Sequence, residues 1–94
     1  MICLEPHGWG GDHRHDRREL WVGYGELYLI WRDEKGQKQE VKMTHSDGRL
    51  RAFLVAPQVP HLIENRGNSP ALLYELRDFD DGPATPLEGK ESLR

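Results

Sequence analysis

The sequence predicts an all-β fold, either a two-sheet sandwich or a small barrel, from two observations. Short apolar segments alternate with turn signals at intervals of about 8 to 12 residues, which is the spacing typical of such folds. No segment shows the 3.6-residue periodicity of an amphipathic helix. With 94 residues, the chain has room for one domain and a modest core.

Six segments are predicted to be strands, because each is rich in β-branched, aromatic or leucine side chains and ends at a turn signal. In residues 26–32 the apolar side chains alternate, which places Leu27, Leu29 and Trp31 on one face. The intervening turns contain glycine, proline or aspartate, as in DEKGQK, HSDGR, PQVP and RGNSP. The predicted strands, in order, are ICLEP, ELWVGYGELYLIWRD, QEVKMT, LRAFLVA, HLIEN and ALLYELRDF.

We expect one domain over residues 1–79, with no internal repeat and no earlier boundary. The remaining residues 80–94, DDGPATPLEGKESLR, contain two prolines and few apolar side chains. Such a segment has little to bury and is predicted to be a flexible C-terminal tail.

Charge and composition exclude several classes of partner and location. The net charge is -3 and the sequence pI about 5.9, which argues against a nucleic-acid partner. Cys3 is the single cysteine, so no internal disulfide forms and a reducing compartment fits. No apolar run approaches the roughly 20 residues of a membrane span, and the first residues do not read as a signal peptide. The expected location is the cytoplasm.

Two histidines lie two residues apart in the segment GGDHRHDRRELW. If residues 13–15 are extended, the imidazoles of His13 and His15 project from the same face of the strand. Glu19 follows four residues later, so a tight turn can bring its carboxylate back beside them. A His-x-His pair alone is weak evidence for a metal site, because a surface pair is the commoner explanation.

A second segment strengthens the prediction of a metal site. In VAPQVPHLIEN a strand and a proline-rich corner lead to His61, and Asn65 follows four residues later. A third histidine delivered from a distant hairpin is what a metal site inside a barrel requires. Imidazole nitrogens with a carboxylate oxygen suit zinc, iron, manganese, nickel or copper.

These two segments resemble the two sequence motifs of the cupin superfamily, over roughly residues 2–78. The first motif has a His-x-His pair, a glutamate and then a glycine; the second has proline, glycine, histidine and, four residues on, asparagine. The resemblance implies an antiparallel double-stranded β-helix, the cupin jelly-roll barrel, with a divalent metal ion (zinc, iron, manganese or nickel) held by His13, His15, Glu19 and His61. The matching residues are His13, His15, Glu19 and Gly25 in the first motif and Pro57, His61 and Asn65 in the second.

The chain departs from the cupin motifs at two places. The interval from Glu19 to Gly25 is one residue shorter than usual, which makes Glu19 the least secure of the four ligands. Gln58 stands where the family usually has glycine. We therefore expect that the turn either avoids a positive φ or is strained.

The segments GGDHRH, LWVGYGELYLIWRD and APQVPHLIENRGNSPALLYELRDFDDGP resemble, more closely, small cupins of polysaccharide and sugar-nucleotide metabolism. This resemblance implies a metal-dependent isomerase, epimerase or lyase acting on a sugar or small carbonyl compound in the barrel interior. An iron-dependent dioxygenase and a non-catalytic cupin that binds a small ligand or a metal are the alternatives. No catalytic residue is assigned, because a fold of this kind supports many activities.

Several other residues receive structural interpretations. His7 and His45 are expected in turns, and Asn65 is expected to hold a turn through side-chain hydrogen bonds to the backbone. Trp21, Trp31 and Phe53 are expected in the core. Tyr74 and Glu75 face opposite ways on the last strand, so one of them looks into the barrel. Because the apolar segments ICLEP and LYLIW would form exposed edges, we expect a homodimer that protects them.

Overall fold

The structure, a computed structural model, describes residues 1–44, 47–77 and 84–94 and forms two antiparallel β-sheets. The prediction of an all-β fold is confirmed, since the regular elements of these residues are nine strands and one short 3₁₀ turn, Gly89–Glu91. No helix in these ranges has the length and apolar character needed to cross a membrane. The strands are β1 (Ile2–Leu4), β2 (Trp9–His15), β3 (Glu19–Tyr24), β4 (Leu27–Arg32), β5 (Lys38–Lys42), β6 (Ala52–Val55), β7 (His61–Asn65), β8 (Ala71–Arg77) and β9 (Ala84–Pro86).

The strands are arranged as a jelly roll. One sheet has the order β1-β8-β3-β6 and the other the order β5-β4-β7-β2-β9. Strands that follow one another in the chain mostly lie in different sheets, so the chain crosses repeatedly between the two layers. Inward-facing side chains of both sheets therefore meet in a shared interior, which is where a site built from several strands can form.

The core lies between the two sheets and contains the alternating apolar side chains that the sequence predicts. Leu27 and Leu29 of β4 are buried in this core and Trp31 is partly buried against it, on the face that the alternation indicates. Segment LYLIW is not an exposed edge, however, because β4 is paired with β5 on one side and β7 on the other. β1 is an edge strand, as expected. The buried core residues are Leu4, Trp21, Leu27, Leu29, Met43, Val55, Ile63, Ala71 and Leu73.

The C-terminal residues differ from the expected flexible tail. In residues 84–94, β9 pairs with β2, and Leu87 and Leu93 are buried against Ile30 and Leu62 on the outer side of the five-stranded sheet. The sequence did not predict this packing, because Leu87 and Leu93 alone show neither the alternation of a strand nor the 3.6-residue repeat of a helix. The position of His45 lies outside the described residues, as do residues 78–83.

Asp12 fastens this C-terminal segment to β2. One carboxylate oxygen of Asp12 accepts a hydrogen bond from the Ser92 hydroxyl at 2.6 Å, and the other accepts one from the Leu93 amide at 2.7 Å. The carbonyl of Asp12 also accepts the Leu87 amide at 2.9 Å. The segment is therefore held to the strand that carries two of the three candidate histidine ligands.

Candidate metal centre

His13, His15 and His61 converge in the interior between the two sheets. β2 and β7 are antiparallel neighbours, and their register places His13 directly opposite His61. The ring centroids are 4.2 Å apart for His13 and His15, 4.8 Å for His13 and His61, and 5.0 Å for His15 and His61. One nitrogen from each ring lies within 4.8 Å of the others. The sequence-based prediction that the three imidazoles face a common point is therefore met.

A β-bulge in β2 brings the two strands into this register. Gly11 and Asp12 both have positive φ, 99° and 63°, and the pairing with β7 shifts between Gly11 and His13. A Cβ atom on Gly11 would lie 3.2 Å from the His61 carbonyl oxygen, so the close approach of the strands also favours glycine there. The bulge thus aims His13 at the interior.

The proline-rich corner before β7 contacts the same strand. The amide of Gln58 donates a hydrogen bond to the His15 carbonyl at 2.6 Å. Gln58 has a φ of 65°, so the turn is strained, which is one of the two outcomes that a residue other than glycine predicts. This contact ties the two histidine-bearing segments together.

The imidazole of His61 is in a defined tautomer. Its Nδ1 lies 2.9 Å from the Val59 carbonyl oxygen, which can only accept, so Nδ1 carries the proton. The other nitrogen, Nε2, is buried and has no hydrogen-bond partner among the described residues. A buried lone pair without a donor is costly in a structural histidine, and it is what a metal ligand supplies.

His15 offers a second such nitrogen. Its Nδ1 is buried without a hydrogen-bond partner in the described part of the chain, while Nε2 lies 2.8 Å from Oε1 of Glu19. Glu19 is almost fully buried, and it contacts His15 rather than joining the group of three mutually close ligand atoms. That Glu19 is the fourth metal ligand stays a prediction.

The histidines of the cluster are neutral at physiological pH. Burial, together with the nearby imidazoles and Arg17, lowers the pKa of His15 to about 4. Burial is also the main reason that the pKa of His61 falls to about 4, although its hydrogen bond to Val59 acts in the opposite direction. The pKa of His13 is lowered for the same reason. Neutral imidazoles are the form that binds metal ions.

A carboxyl pair, Glu19 and Glu75, lies beside the cluster. Burial, with a hydrogen bond and charge repulsion from Glu75, raises the pKa of Glu19 to about 8. Burial acts to raise the pKa of Glu75 as well, but the hydrogen bond from Glu19 and the charges of Arg77 and Arg17 lower it overall. The two carboxyls therefore share one proton, which resides on Glu19.

Of the two residues Tyr74 and Glu75, the sequence left open which one looks into the barrel, and in the structure it is Glu75. Tyr74 faces outward and Glu75 inward, where Glu75 lines a cavity of about 90 Å³ together with His13 and His61. The signal was in the alternation, because Glu75 follows the buried Leu73 by two residues on the same strand. A glutamate placed on an inward-facing apolar row predicts a polar interior.

A larger cavity of about 280 Å³ lies on the other side of His61. Its walls include Leu29 and Trp31 of β4, Phe53 of β6 and Val59 of the proline-rich corner. His61 lines both cavities, so a small molecule in the larger one would lie against the histidine cluster.

The remaining expectations for single residues hold where the structure describes them. His7 lies outside the cluster, with Nε2 3.1 Å from Oδ1 of Asn68. Asn65 is fully buried and holds the ends of two loops, since its Nδ2 donates to the carbonyls of Leu4 and Ser69 and its Oδ1 accepts the Gly67 amide. Trp21 belongs to the core, with its ring 4.7 Å from that of His61.

Comparison with known proteins supports the fold. No protein-family model matches the chain, and no curated protein matches it. Two crystal structures of the capsular polysaccharide assembling protein CapF from Staphylococcus aureus are similar to this chain. One has a TM-score of 0.80 and 19% sequence identity, and the match covers 94% of this chain and 26% of that chain. The other has a TM-score of 0.68 and 20% sequence identity, and the match covers 85% of this chain and 24% of that chain. The chain thus spans about a quarter of the length of these structures, and it has the cupin jelly-roll barrel fold.

Proposed function

We propose that this protein is a metal-binding cupin that acts on a sugar or small carbonyl compound, as an isomerase, epimerase or lyase. His13, His15 and His61 would hold one divalent cation, which is zinc, iron, manganese or nickel, and Glu19 is the candidate fourth ligand. The observation that carries this proposal is the convergence of the three imidazoles, two of which have buried nitrogens without hydrogen-bond partners in the described structure. Such nitrogens fit a metal ion better than they fit a structural core.

A divalent cation at this centre would polarise a carbonyl oxygen or stabilise an enediolate. The residues of the chain provide the rest of the environment. The three neutral imidazoles leave the cation most of its charge. Where Glu19 is not a ligand, the Glu19–Glu75 pair stores one proton beside the cluster. The mostly apolar walls around His61 lower the local polarity, which strengthens electrostatic effects there. This arrangement suits proton movement at a carbon next to a carbonyl group.

The similarity to a protein named for capsular polysaccharide assembly supports a substrate related to sugars. Sequence identity of 19% and 20% to these structures establishes fold only, so the sugar-related substrate is part of the proposal. A cytoplasmic location and a homodimer belong to the same proposal.

An iron-dependent dioxygenase is the second candidate function. Three imidazoles suit iron as well as zinc. The larger cavity beside His61 is mostly apolar, which suits an apolar organic compound that is oxidised by O₂. The identity of the bound metal separates the two candidates, because zinc disfavours dioxygenase chemistry and iron supports it.

The test is elemental analysis of protein purified without chelators. We expect about one metal ion per chain in the wild type and in the His7→Asn variant, which removes a histidine outside the cluster. We expect none in His61→Ala, with the β-sheet circular dichroism spectrum retained. Equal metal content in His61→Ala and the wild type would refute the proposed centre. A thermal-shift screen of sugar nucleotides and small keto acids on the metal-loaded protein then tests the substrate class.

A further inference from the structure

The larger cavity has almost no groups that could bind a hydroxyl. Its lining includes seven apolar or aromatic residues: Leu29, Trp31, Phe53, Leu54, Val55, Ala56 and Val59. His61 is the one titratable side chain in the lining that the structure describes, and its Nδ1 is already bound to the Val59 carbonyl. The side chains of the cavity therefore offer mainly apolar contact, with one indole N–H, that of Trp31, and a single imidazole.

This lining discriminates between classes of ligand. A sugar that entered the cavity would bury several hydroxyl groups that find no hydrogen-bond partner, and each such group is costly to desolvate. A compound with an aromatic or branched aliphatic body would instead contact Trp31 and Phe53 on its faces. A volume of about 280 Å³ is at the lower end of small-molecule sites and suits a body of roughly ten non-hydrogen atoms.

We propose that the ligand of this site is a small 2-oxo acid or related carbonyl compound with an apolar body, rather than a polyhydroxylated sugar. Its carbonyl and carboxylate oxygens would face the histidine cluster, and its apolar body would fill the cavity between β4 and β6. This inference rests on the proposed metal-dependent function. Of the two substrate classes named there, it keeps the small carbonyl compound and rejects the sugar.

The test compares three probes: phenylpyruvate, pyruvate and ribose. Each is titrated by calorimetry into cobalt-loaded and metal-free protein, and the visible absorption of cobalt reports whether the probe reaches the centre. We expect phenylpyruvate to bind roughly 10- to 100-fold more tightly than pyruvate, because its ring is buried. Phe53→Asn should remove this advantage, and Phe53→Leu should keep most of it, with unchanged metal content in both.

The outcomes separate this inference from the proposed function. If the protein takes up no cobalt, the proposed metal centre fails, while preferential binding of phenylpyruvate to metal-free protein would still support the ligand class. Ribose binding as tightly as phenylpyruvate, or equal affinities for phenylpyruvate and pyruvate, would overturn the ligand class even in a protein that binds metal. Phe53→Asn binding phenylpyruvate like the wild type would overturn it as well.

A second inference comes from the outer face of the four-stranded sheet. The outward-facing residues of its three longest-paired strands are in register, so that Leu20 lies between Leu54 and Leu76, and Val22 lies opposite Tyr74. None of the outward-facing side chains in this block is charged. We call this block the outer face; its residues are Leu20, Val22 and Tyr24 of β3, Ala52 and Leu54 of β6, and Leu72, Tyr74 and Leu76 of β8.

The outer face is exposed, whereas the apolar patch on the other sheet is covered. Leu87 and Leu93 cover Ile30 and Leu62 of the five-stranded sheet. On the outer face, by contrast, Leu54 is 69% exposed, Tyr24 66%, Tyr74 58% and Leu76 57%. Monomeric proteins rarely leave a contiguous apolar patch of this kind in contact with water.

The area of the patch indicates the size of its partner. With Met1 and Leu50, which border the cleft between Tyr24 and Tyr74 and are 78% and 57% exposed, the patch is comparable to the roughly 800 Å² that one subunit buries in a standard interface. An uncharged apolar sheet face is complementary to a copy of itself across a two-fold axis. We infer that a second copy of this chain packs on the outer face, sheet against sheet.

Sedimentation velocity at micromolar concentration tests this inference. We expect a dimer for the wild type, a monomer for Tyr74→Glu and for Leu76→Glu, and a dimer for Lys38→Glu, which changes the charge on the opposite sheet. Metal content should be the same in all four proteins, which shows that each is folded. A monomeric wild type would overturn the inference, and so would a dimer that both glutamate variants leave intact, since this would place the interface at a strand edge instead.

Discussion

The Nδ1 of His61 and the carbonyl oxygen of Val59 are 2.9 Å apart, and this contact fixes which imidazole nitrogen is free. Because Nδ1 donates to a backbone acceptor, the lone pair of Nε2 is held ready in the interior. The free-energy cost of burying Nε2 without a hydrogen-bond partner is part of the folding of the metal-free protein. The cluster is thus preorganised for a cation, and this has measurable consequences for pH dependence.

Metal binding should persist to unusually low pH. The pKa values of His15 and His61 are about 4 instead of the ordinary 6.5, so protons compete weakly with a cation above pH 5. For a centre held by the three histidines alone, we expect zinc affinity at pH 5.5 to be within about tenfold of that at pH 7, whereas sites of unperturbed histidines would lose far more. Competition with a chromophoric chelator across this range measures it, and a fall of about a thousandfold would contradict the expectation.

The stability of the metal-free protein should pass through a maximum near neutrality. For His15 and His61 the pKa is lower in the folded state, so the unfolded chain binds more protons between about pH 4 and 6.5. Their contribution to stability is complete above pH 6.5 and is lost as the pH falls. Glu19 has the opposite sign: its folded pKa of about 8 exceeds the ordinary 4.5, so its contribution is lost as the pH rises through 8.

Between pH 4.5 and 6.5 the two histidines outweigh the one carboxyl, so stability should rise with pH there and fall between about 6.5 and 8. Urea unfolding of chelator-treated protein at intervals of pH measures the curve. Glu19→Gln should flatten the alkaline side and steepen the acidic side, because the carboxyl that opposes the two histidines is gone. A free energy of unfolding that stays constant from pH 5 to 8 would show that these buried groups are not perturbed as described.

Gln58→Gly should stabilise the protein. Gln58 has a φ of 65°, a conformation that costs a residue with a Cβ about 1 kcal/mol or more and costs glycine little. Since glycine also gains entropy in the unfolded chain, we expect a net gain of about 0.5 kcal/mol. The free energy of chemical unfolding checks this expectation. Gln37→Gly is the control, because Gln37 is exposed and is not among the residues with a positive φ. Destabilisation by Gln58→Gly would indicate that the glutamine side chain makes a stabilising contact.

Leu93→Ala should destabilise the protein by about 2–4 kcal/mol, as expected for a buried leucine that leaves a cavity. Leu93 is 1% exposed and packs with Leu87 against the five-stranded sheet. Glu88→Ala, an exposed position in the same segment, should change the free energy of unfolding by less than about 0.5 kcal/mol. If both substitutions had equally small effects, residues 84–94 would behave as the flexible tail that their composition predicts.

Much of the fold and of the site could be predicted from local pattern. The alternation in β4 identifies Leu27 and Leu29 as core residues, because side chains on a strand point to opposite faces in turn. The His-x-His spacing places His13 and His15 on one face for the same reason. The predicted role of Asn65 as a turn residue is confirmed by its four hydrogen-bonded loop contacts, to Leu4, Glu5, Ser69 and Gly67.

By itself, the sequence determined most of the strands, though not β2 or β9, together with the turns and the identity of the three histidines. These depend on residue type and on spacing within one segment. Only the tertiary structure decided what depends on distances between segments. It paired His13 with His61, turned Glu75 rather than Tyr74 inward beside Glu19, and packed Leu93 against Ile30 and Leu62. A polar strand such as β2 has no apolar period, so its position came from backbone pairing with β7 and β9, which only the assembled sheet provides.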